Sequence, residues 1–285
     1  TPLHPSKNLV FRSSFGINSY TTSERSFVPA YLLSATTATS YFQNTMDRTA
    51  QSMQMGTKWI LDNTLNYKFT LNEKNNFDVM VGASAEKSGI GESISGSNGK
   101  SLFNSFEYAY LINNKTIDPS FTSLTGSPLI DSRILSVFSR ASYDYKQTYM
   151  VTAVFRADGS SNFAPGKQWG FFPSISGGWA MTNENFMKVT KNWLDFLKIR
   201  ASWGENGNQS LNPFQYLSTV SFNGAPFFKY SDKTKFDNGG YPNIMANPDV
   251  SWETSAQTDI GFDARLLNSK VGITFDWYNK LTKDW

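Results

Sequence analysis

The 285-residue chain has no cysteine and only one histidine, His4. Zinc sites are built mainly from Cys and His ligands, and Ser-His-Asp or Cys-His centres need a histidine as base. Without cysteine the chain cannot form a disulfide either. We therefore expect a protein without a metal site, a cofactor or a nucleophilic catalytic centre.

Charge is also scarce, at 17% of residues, where about 25% is usual. The net charge of +3 comes without a basic run, so we expect no nucleic-acid partner. No apolar run approaches the roughly 18 residues of a membrane-spanning helix. In place of charge the chain is rich in Ser, Thr and Asn, and 15% of its residues are aromatic. This composition suits strands with one apolar and one polar face.

Alternation of apolar and polar residues predicts an all-β chain. The predicted strands cover residues 9–20, 57–71, 76–87, 132–145, 148–157, 169–181, 193–205, 251–266 and 270–283. One or two more are expected within 25–45 and 213–222. A short helical turn is predicted over Thr182–Lys191, with Thr182 and Asn183 as caps.

The connections between these strands alternate in length. Tight turns are predicted at Asn72–Asn75, Lys146–Gln147 and Asn268–Ser269. Long loops are predicted over 88–131, which includes the Gly- and Ser-rich stretch 89–99, and over 206–250. Outer-membrane barrels have short periplasmic turns at one end and long outer loops at the other, so the pattern indicates such a barrel.

In the central parts of five strands, 22 positions on one face carry no charge, whereas 22 positions on the other face carry nine charges. A charge that faces lipid at mid-membrane costs roughly 2–4 kcal/mol, so an uncharged face is what a lipid-facing band requires. The other face suits a wet lumen, and the candidate functional residues among its charges are Arg140, Arg156, Arg200, Asp259, Asp263 and Arg265. The pattern leaves open a soluble secreted β-sandwich, in which the uncharged face would form the core.

Many aromatic residues lie near predicted strand ends, where amphipathic rings form girdles at both interfaces of a membrane barrel. These residues are Tyr143, Tyr145, Tyr149, Trp169, Trp179, Trp193, Trp252, Trp277 and Tyr278. The predicted strands are also long enough to cross a membrane, which takes about 9–11 tilted residues.

Several motifs follow one another through the second half of the chain. They include RADGSS at 156–161, WGFFPSIS at 169–176, LKIRASWG at 197–204 and NPDVSWET at 247–254. In this order they resemble the SusC/RagA family of TonB-dependent outer-membrane transporters.

The motif residues are expected to shape the barrel wall rather than to contact a ligand. They are Asp158, Gly159, Ser160, Trp169, Phe172, Pro173, Ser174, Trp252 and Glu253. Asp158–Ser160 predicts a turn, with Gly159 at positive φ and Asp158 bonded to local backbone. Pro173 lacks an N–H donor and predicts a bulge or a local break.

The resemblance implies an antiparallel transmembrane β-barrel segment, with about 9–11 strands of a roughly 22-stranded plugged barrel. Residues 1–285 are expected to be a partial receptor barrel without the plug, the TonB-contacting segment or a signal peptide. The family imports oligosaccharides or peptides across the outer membrane of Gram-negative, Bacteroidota-type bacteria. A SusD-like surface lipoprotein would cover the outer loops, and the TonB complex would act through parts absent from this chain.

Two sets of residues receive roles from this resemblance. The lumen-facing charges are expected to brace the plug or, as the less favoured role, to bind substrate. Loop aromatics are expected to contact the lid or the ligand: Phe214, Tyr216, Phe227, Phe228, Tyr230 and Tyr241. An enzyme is not expected, because a glycosidase needs two paired carboxylates and nothing in the spacing of Glu205, Asp232 and Asp237 marks a pair. The alternative is a soluble carbohydrate-binding or interaction module.

Overall fold

The computed structural model describes residues 2–6, 8–33, 42–114, 120–211, 213–221, 227–229, 236–238 and 240–283. The strands are β1 Pro2–Ser6, β2 Leu9–Val28, β3 Tyr31–Leu33, β4 Phe42–Asn44, β5 Arg48–Leu71, β6 Asn75–Gly99, β7 Ser123–Pro128, β8 Ser132–Tyr145, β9 Tyr149–Ser160, β10 Trp169–Ala180, β11 Leu194–Asn208, β12 Val220–Ser221, β13 Phe227–Lys229, β14 Phe236–Asn238, β15 Tyr241–Pro242, β16 Glu253–Leu266 and β17 Val271–Lys283. Short 3-10 helices cover Phe106–Tyr108, Leu111–Asn113, Met181–Asn183 and Asn185–Thr190. Within these ranges no helix has the length and apolar character needed to cross a bilayer.

The first of two compact units comprises residues 1–15, 60–86 and 132–285. It is built on an antiparallel sheet in the order β1-β2-β5-β6-β8-β9-β10-β11-β16-β17. The long strands therefore follow one another across the sheet in chain order, as in an up-and-down barrel wall. Among the described residues the sheet stays open, with β1 and β17 at its two ends.

Tight turns join the strands at one end of this sheet. Asn72 and Glu73 have φ of 53° and 56°, and Lys146 and Gln147 have φ of 50° and 55°. Paired positive φ values are typical of the hairpin turns whose twist matches that of the flanking strands. At the opposite end β11 and β16 are separated by residues 209–252. The predicted alternation of short and long connections is thus present here.

The second unit comprises residues 16–59 and 87–131. It contains the remaining parts of β2, β5 and β6, and β7 pairs with β6 from Glu92 to Ser97. Side chains from the start of β5 and the residue before it hold the segment that follows β6. Both Asp47 carboxylate oxygens accept from Ser101 N at 3.0 Å, and Gln51 Oε1 accepts from Leu111 N at 2.9 Å.

The predicted loop at 89–99 is wrong, because this stretch is the second half of β6. Hydrogen bonding to β7 overrides the low strand propensity of Gly, Ser and Asn. Gly89 and Gly91 have positive φ, and a Cβ on either would collide with the backbone of a neighbouring segment. These glycines mark close backbone approach within a sheet rather than a loop. β2 and β5 likewise extend beyond their predicted bounds, to Val28 and back to Arg48.

The predicted helical turn is two 3-10 helices, and the predicted caps are also wrong. Glu184 precedes the second helix and makes no side-chain capping bond. Thr182 Oγ1 instead accepts from Leu197 N at 3.3 Å, and Asn183 Nδ2 donates to Gln147 O at 2.8 Å. The two polar side chains therefore do not cap a helix but bond the turn to β11 and to the connection between β8 and β9.

Large apolar side chains on the uncharged face of the first unit are exposed. Val137 is 52% exposed, Phe155 47%, Ile260 49% and Phe275 54%. A soluble sandwich would bury such a face under a second sheet. The exposure of these side chains therefore contradicts the sandwich alternative.

A row of aromatic rings runs along this face beside the tight turns, and we call it the aromatic row. Within each of its two stretches, from Tyr67 to Tyr143 and from Tyr145 to Trp179, successive ring centroids lie between 4.8 and 6.4 Å apart, within the range of favourable ring contacts. The rings belong to Tyr67, Phe69, Phe77, Tyr143, Tyr145, Tyr149 and Trp179.

Candidate functional site

The opposite face of the first unit carries three clusters of charge, and the largest surrounds Arg200 on β11. Its Nε donates to Asp263 Oδ2 at 3.1 Å, and its Nη1 lies 3.6 Å from Asp259 Oδ1. Nη1 also pairs with Asp276 on β17, two strands away. Three carboxylates thus surround one guanidinium, which makes this cluster an ion-pair network. The described residues contain no group of three or more His, Asp or Glu side chains placed to hold a metal ion.

The contact between Arg200 and Asp276 depends on Gly261, which lies between them on β16. In the sheet Arg200 pairs with Gly261, and Gly261 pairs with Asp276 on the far side. A Cβ on Gly261 would lie 3.1 Å from Arg200 Cζ and against Asp276 Oδ1. Only a residue without a side chain lets the guanidinium pass over β16 to the next strand.

The second cluster is centred on Asp78 of β6. Its carboxylate accepts from Asn66 Nδ2 at 2.6 Å, and Lys68 Nζ lies 3.2 Å away. Arg140 Nη2 on β8 lies 3.5 Å from the same carboxylate. Lys68 and Asp78 line an open groove of about 790 Å³ with residues including Ser142 and Thr152. Arg140 is therefore paired within the wall, and its partner is a residue that the sequence reasoning missed.

The third cluster joins Arg156 to two buried groups. Its Nε donates to Asp158 Oδ2 at 2.7 Å, and its Nη2 donates to Ser136 Oγ at 2.9 Å. Asp158 is 7% exposed and Ser136 is 2% exposed. The carboxylate thus bonds a side chain, and the prediction that it bonds local backbone is wrong.

The predicted turn at Asp158–Ser160 is also wrong, because these residues complete β9. Gly159 pairs with Leu135 on one side and with Trp169 on the other, so sheet pairing fixes it as extended. The positive φ belongs to Gly166, at 87°, in the connection that follows. A Cβ on Gly159 would lie 2.9 Å from the Trp169 ring. A glycine is therefore needed here because there is no room for a side chain.

Two aromatic motif residues form a small buried core with Phe163. The rings of Phe163 and Phe172 both lie 5.4 Å from the Trp252 ring, and Val250 packs against the group. Trp252 Nε1 donates to Gln168 O at 2.8 Å, which fixes the connection between β9 and β10. These residues shape the wall, and Phe163 is the fully buried member that the site prediction did not include.

The remaining motif residues lie along or beside strands. Pro173 pairs with Phe155, and the register to β9 runs without a shift, so the predicted bulge is wrong on that side. The pairing to β11 runs only as far as Ser174, so the missing N–H of Pro173 falls where that ladder ends. Trp169 is 47% exposed, and Glu253 Oε2 accepts from Asn208 Nδ2 at 3.1 Å.

The structure therefore gathers Arg200, Asp259 and Asp263 into one cluster and places Arg140 and Arg156 in two others. Arg265 is exposed and makes no ion pair with any residue in the described ranges. Asp276 and Gly261 both lie on the predicted charged face, which follows from their position in the two-residue repeat of their strands. That repeat could have identified them as neighbours of the Arg200 cluster from the sequence.

The loop aromatics are only partly described. The rings of Phe214 and Tyr216 lie 6.1 Å apart, edge to face. Tyr241 is 44% exposed in β15, which pairs with β12. Phe227 and Phe228 belong to β13, of which only the backbone is described, and Tyr230 lies outside the described residues.

Comparison with known proteins gives consistent matches. A family model described as TonB dependent receptor-like, beta-barrel matches residues 4–285. TonB-dependent receptor P3 of Formosa agariphila is 31% identical over 281 residues, which cover 97% of this chain and 26% of the relative. TonB-dependent receptor SusC of Bacteroides thetaiotaomicron is 29% identical over 213 residues, which cover 74% of this chain and 20% of the relative. The chain thus spans a fifth to a quarter of the length of these two relatives.

Among solved structures, that of the RagAB peptide transporter is similar across 99% of this chain and 29% of the matched chain. The TM-score is 0.75 and the sequence identity is 23%. At this identity the likeness establishes the fold of the wall.

Proposed function

Because the chain belongs to the TonB-dependent receptor-like β-barrel family, we propose that it forms part of the wall of an outer-membrane transporter. The observation that carries this proposal is the two-faced sheet. Its exposed face is uncharged, and its other face holds ion-pair clusters. The first face suits lipid and the second suits an aqueous lumen. The relatives are receptors and transporters rather than enzymes.

The cargo that we propose is an oligosaccharide or a peptide too large for a porin. RagAB, which shares this fold, is a peptide transporter. A SusD-like surface lipoprotein would cover the outer loops, and the TonB complex would supply energy through parts outside this chain. The organisms of the matched receptors support the outer membrane of a Bacteroidota-type bacterium as the location.

For the lumen charges we propose that they stabilise the wall and brace a plug. Arg265 is exposed and free of ion pairs among the described residues, so it is available to a group outside the wall. Arg140 Nε is buried without a hydrogen-bond partner in the described part of the chain, which also favours a partner from another segment. Loop aromatics such as Tyr241 and Tyr216 are proposed to contact the lid or the cargo.

Fractionation of cells that express the complete protein tests this proposal. We expect recovery in the outer-membrane fraction, solubility only in detergent, and a gel mobility that changes when the sample is boiled. Recovery as a soluble monomer without detergent would refute the proposal.

A further inference from the structure

The connection between β10 and β11 carries exposed apolar and basic side chains next to one another. Phe186 is 60% exposed, Val189 82% and Trp193 50%. Lys188 and Lys191 lie between them in the sequence and are exposed as well. Neither lysine makes an ion pair with a residue in the described ranges.

The two carboxylates nearest these lysines in the sequence, Glu184 and Asp195, are bonded to neutral donors. Glu184 Oε1 accepts from Tyr149 OH, and from Trp179 Nε1 at 3.3 Å. Asp195 Oδ2 accepts from Ser269 N at 2.8 Å. Neither carboxylate forms an ion pair with Lys188 or Lys191 in the described ranges, so both ammonium groups are available to a partner outside the chain.

The segment also continues the aromatic row. The Phe186 ring lies 6.4 Å from the Trp179 ring, which in turn lies 6.4 Å from the Tyr149 ring. Tyr149 and Trp179 are the last members of the row on the uncharged face. The segment thus begins where the apolar band ends, at the end of the sheet that carries the tight turns. This is the periplasmic end of a barrel.

We propose that residues 181–193 bind phospholipid headgroups of the periplasmic leaflet. Phe186 and Val189 enter the acyl boundary, and the ammonium groups of Lys188 and Lys191 contact lipid phosphates. Exposed apolar side chains beside lysines are the chemistry of interfacial anchors. The inference rests on the proposed function and adds a lipid contact outside the strands. Each lysine near an anionic surface contributes about fivefold in affinity.

Depth quenching tests this assignment in the complete protein, reconstituted in vesicles of mixed phosphatidylcholine and phosphatidylglycerol. This chain has no cysteine, so once any cysteine elsewhere in the complete protein is replaced by serine, single cysteines can be placed here and labelled with a fluorophore. At Val189→Cys we expect quenching by spin-labelled lipid and protection from iodide. At Pro165→Cys, in the connection at the opposite end of β9, we expect the reverse.

Ile273→Cys, on the uncharged face, reports on the wall itself. Lipid quenching at 273 together with iodide access at 189 would overturn the headgroup assignment and leave the barrel proposal intact. Iodide access at 273 as well would overturn both.

Charge is tested separately by native mass spectrometry of phosphatidylglycerol bound to the complete protein. Lys188→Gln with Lys191→Gln should weaken binding about 25-fold, the product of two fivefold effects. Lys167→Gln is the matched control, because that exposed lysine lies in the connection at the other end of β9. An unchanged affinity in the double variant, or an equal loss in the control, would overturn the assignment.

Discussion

A lysine placed at Ala153 should damage the wall, whereas one placed at the adjacent Thr152 should not. Ala153 is exposed on the uncharged face of β9. Thr152 faces the lumen side, where its Oγ1 donates to Ser142 Oγ at 3.0 Å. The two positions share a strand and nearly the same depth, so the main difference between the lysine variants is the medium that the ammonium group meets, and the hydrogen bond lost at Thr152 works against the expected order.

The free-energy cost of the lysine at Ala153 depends on how deep this residue lies in the membrane. Ala153 lies four residues beyond Tyr149 of the aromatic row, which is about 10 Å along the membrane normal for a strand tilted by about 40°. The apolar band of such barrels is about 25 Å tall, so Ala153 lies close to its middle. A lysine there costs about 2–4 kcal/mol, or about 30- to 700-fold in the folding equilibrium. At Thr152 we expect less than about 1 kcal/mol.

Denaturant unfolding of the complete protein in lipid vesicles, followed by tryptophan fluorescence, measures both variants. Ala153→Ser is a further control, because it introduces a polar group without a charge. Equal destabilisation by the two lysines, or a greater loss at Thr152, would mean that the two faces have been assigned the wrong way round.

Three further changes test the inner face and the buried core. Gly261→Ala should displace the guanidinium contact that crosses it and lower the unfolding midpoint, whereas Gly272→Ala, with open space around it, should not. Arg156→Ala should cost about 1–3 kcal/mol because it leaves the buried Asp158 carboxylate without its partner, and adding Asp158→Asn should restore much of that loss. Trp252→Ala should cost about 3–5 kcal/mol and speed proteolysis of the connection between β9 and β10, which the indole holds.

Each of these expectations has a clear contrary result. Equal midpoints for the two alanine variants would show that the contact across the glycine adds no stability. Additive losses from the Arg156 and Asp158 changes would show that the two side chains are not coupled. Unchanged proteolysis in the Trp252 variant would show that other contacts hold the connection.

Strands with strict alternation were predictable almost to the residue. The bounds predicted for β8, 132–145, are those observed, because from Leu135 to Tyr145 one face is uncharged and the other carries Arg140 and Asp144. The Gly- and Ser-rich half of β6 was not predictable, since its strand conformation depends on pairing with β7, more than twenty residues further along the chain. Local composition carries no information about that partner.

The candidate site shows the same division. Which residues share a face follows from the two-residue period of a strand, and the charged face was identified on that basis. Which charges meet depends on the alignment of strands far apart in sequence. Arg200 reaches Asp276 only because Gly261 lies between them in the register.

By itself, the sequence determined the all-β character, the uncharged and charged faces, and the family resemblance. These properties are encoded in residues a few positions apart, where alternation and short motifs are read directly. Only the tertiary structure decided the extension of β6, the ion pairs of Arg140, Arg156 and Arg200, and the burial of Phe163 with Trp252. Those features arise from hydrogen-bond register and side-chain contact between distant segments, which no local pattern specifies.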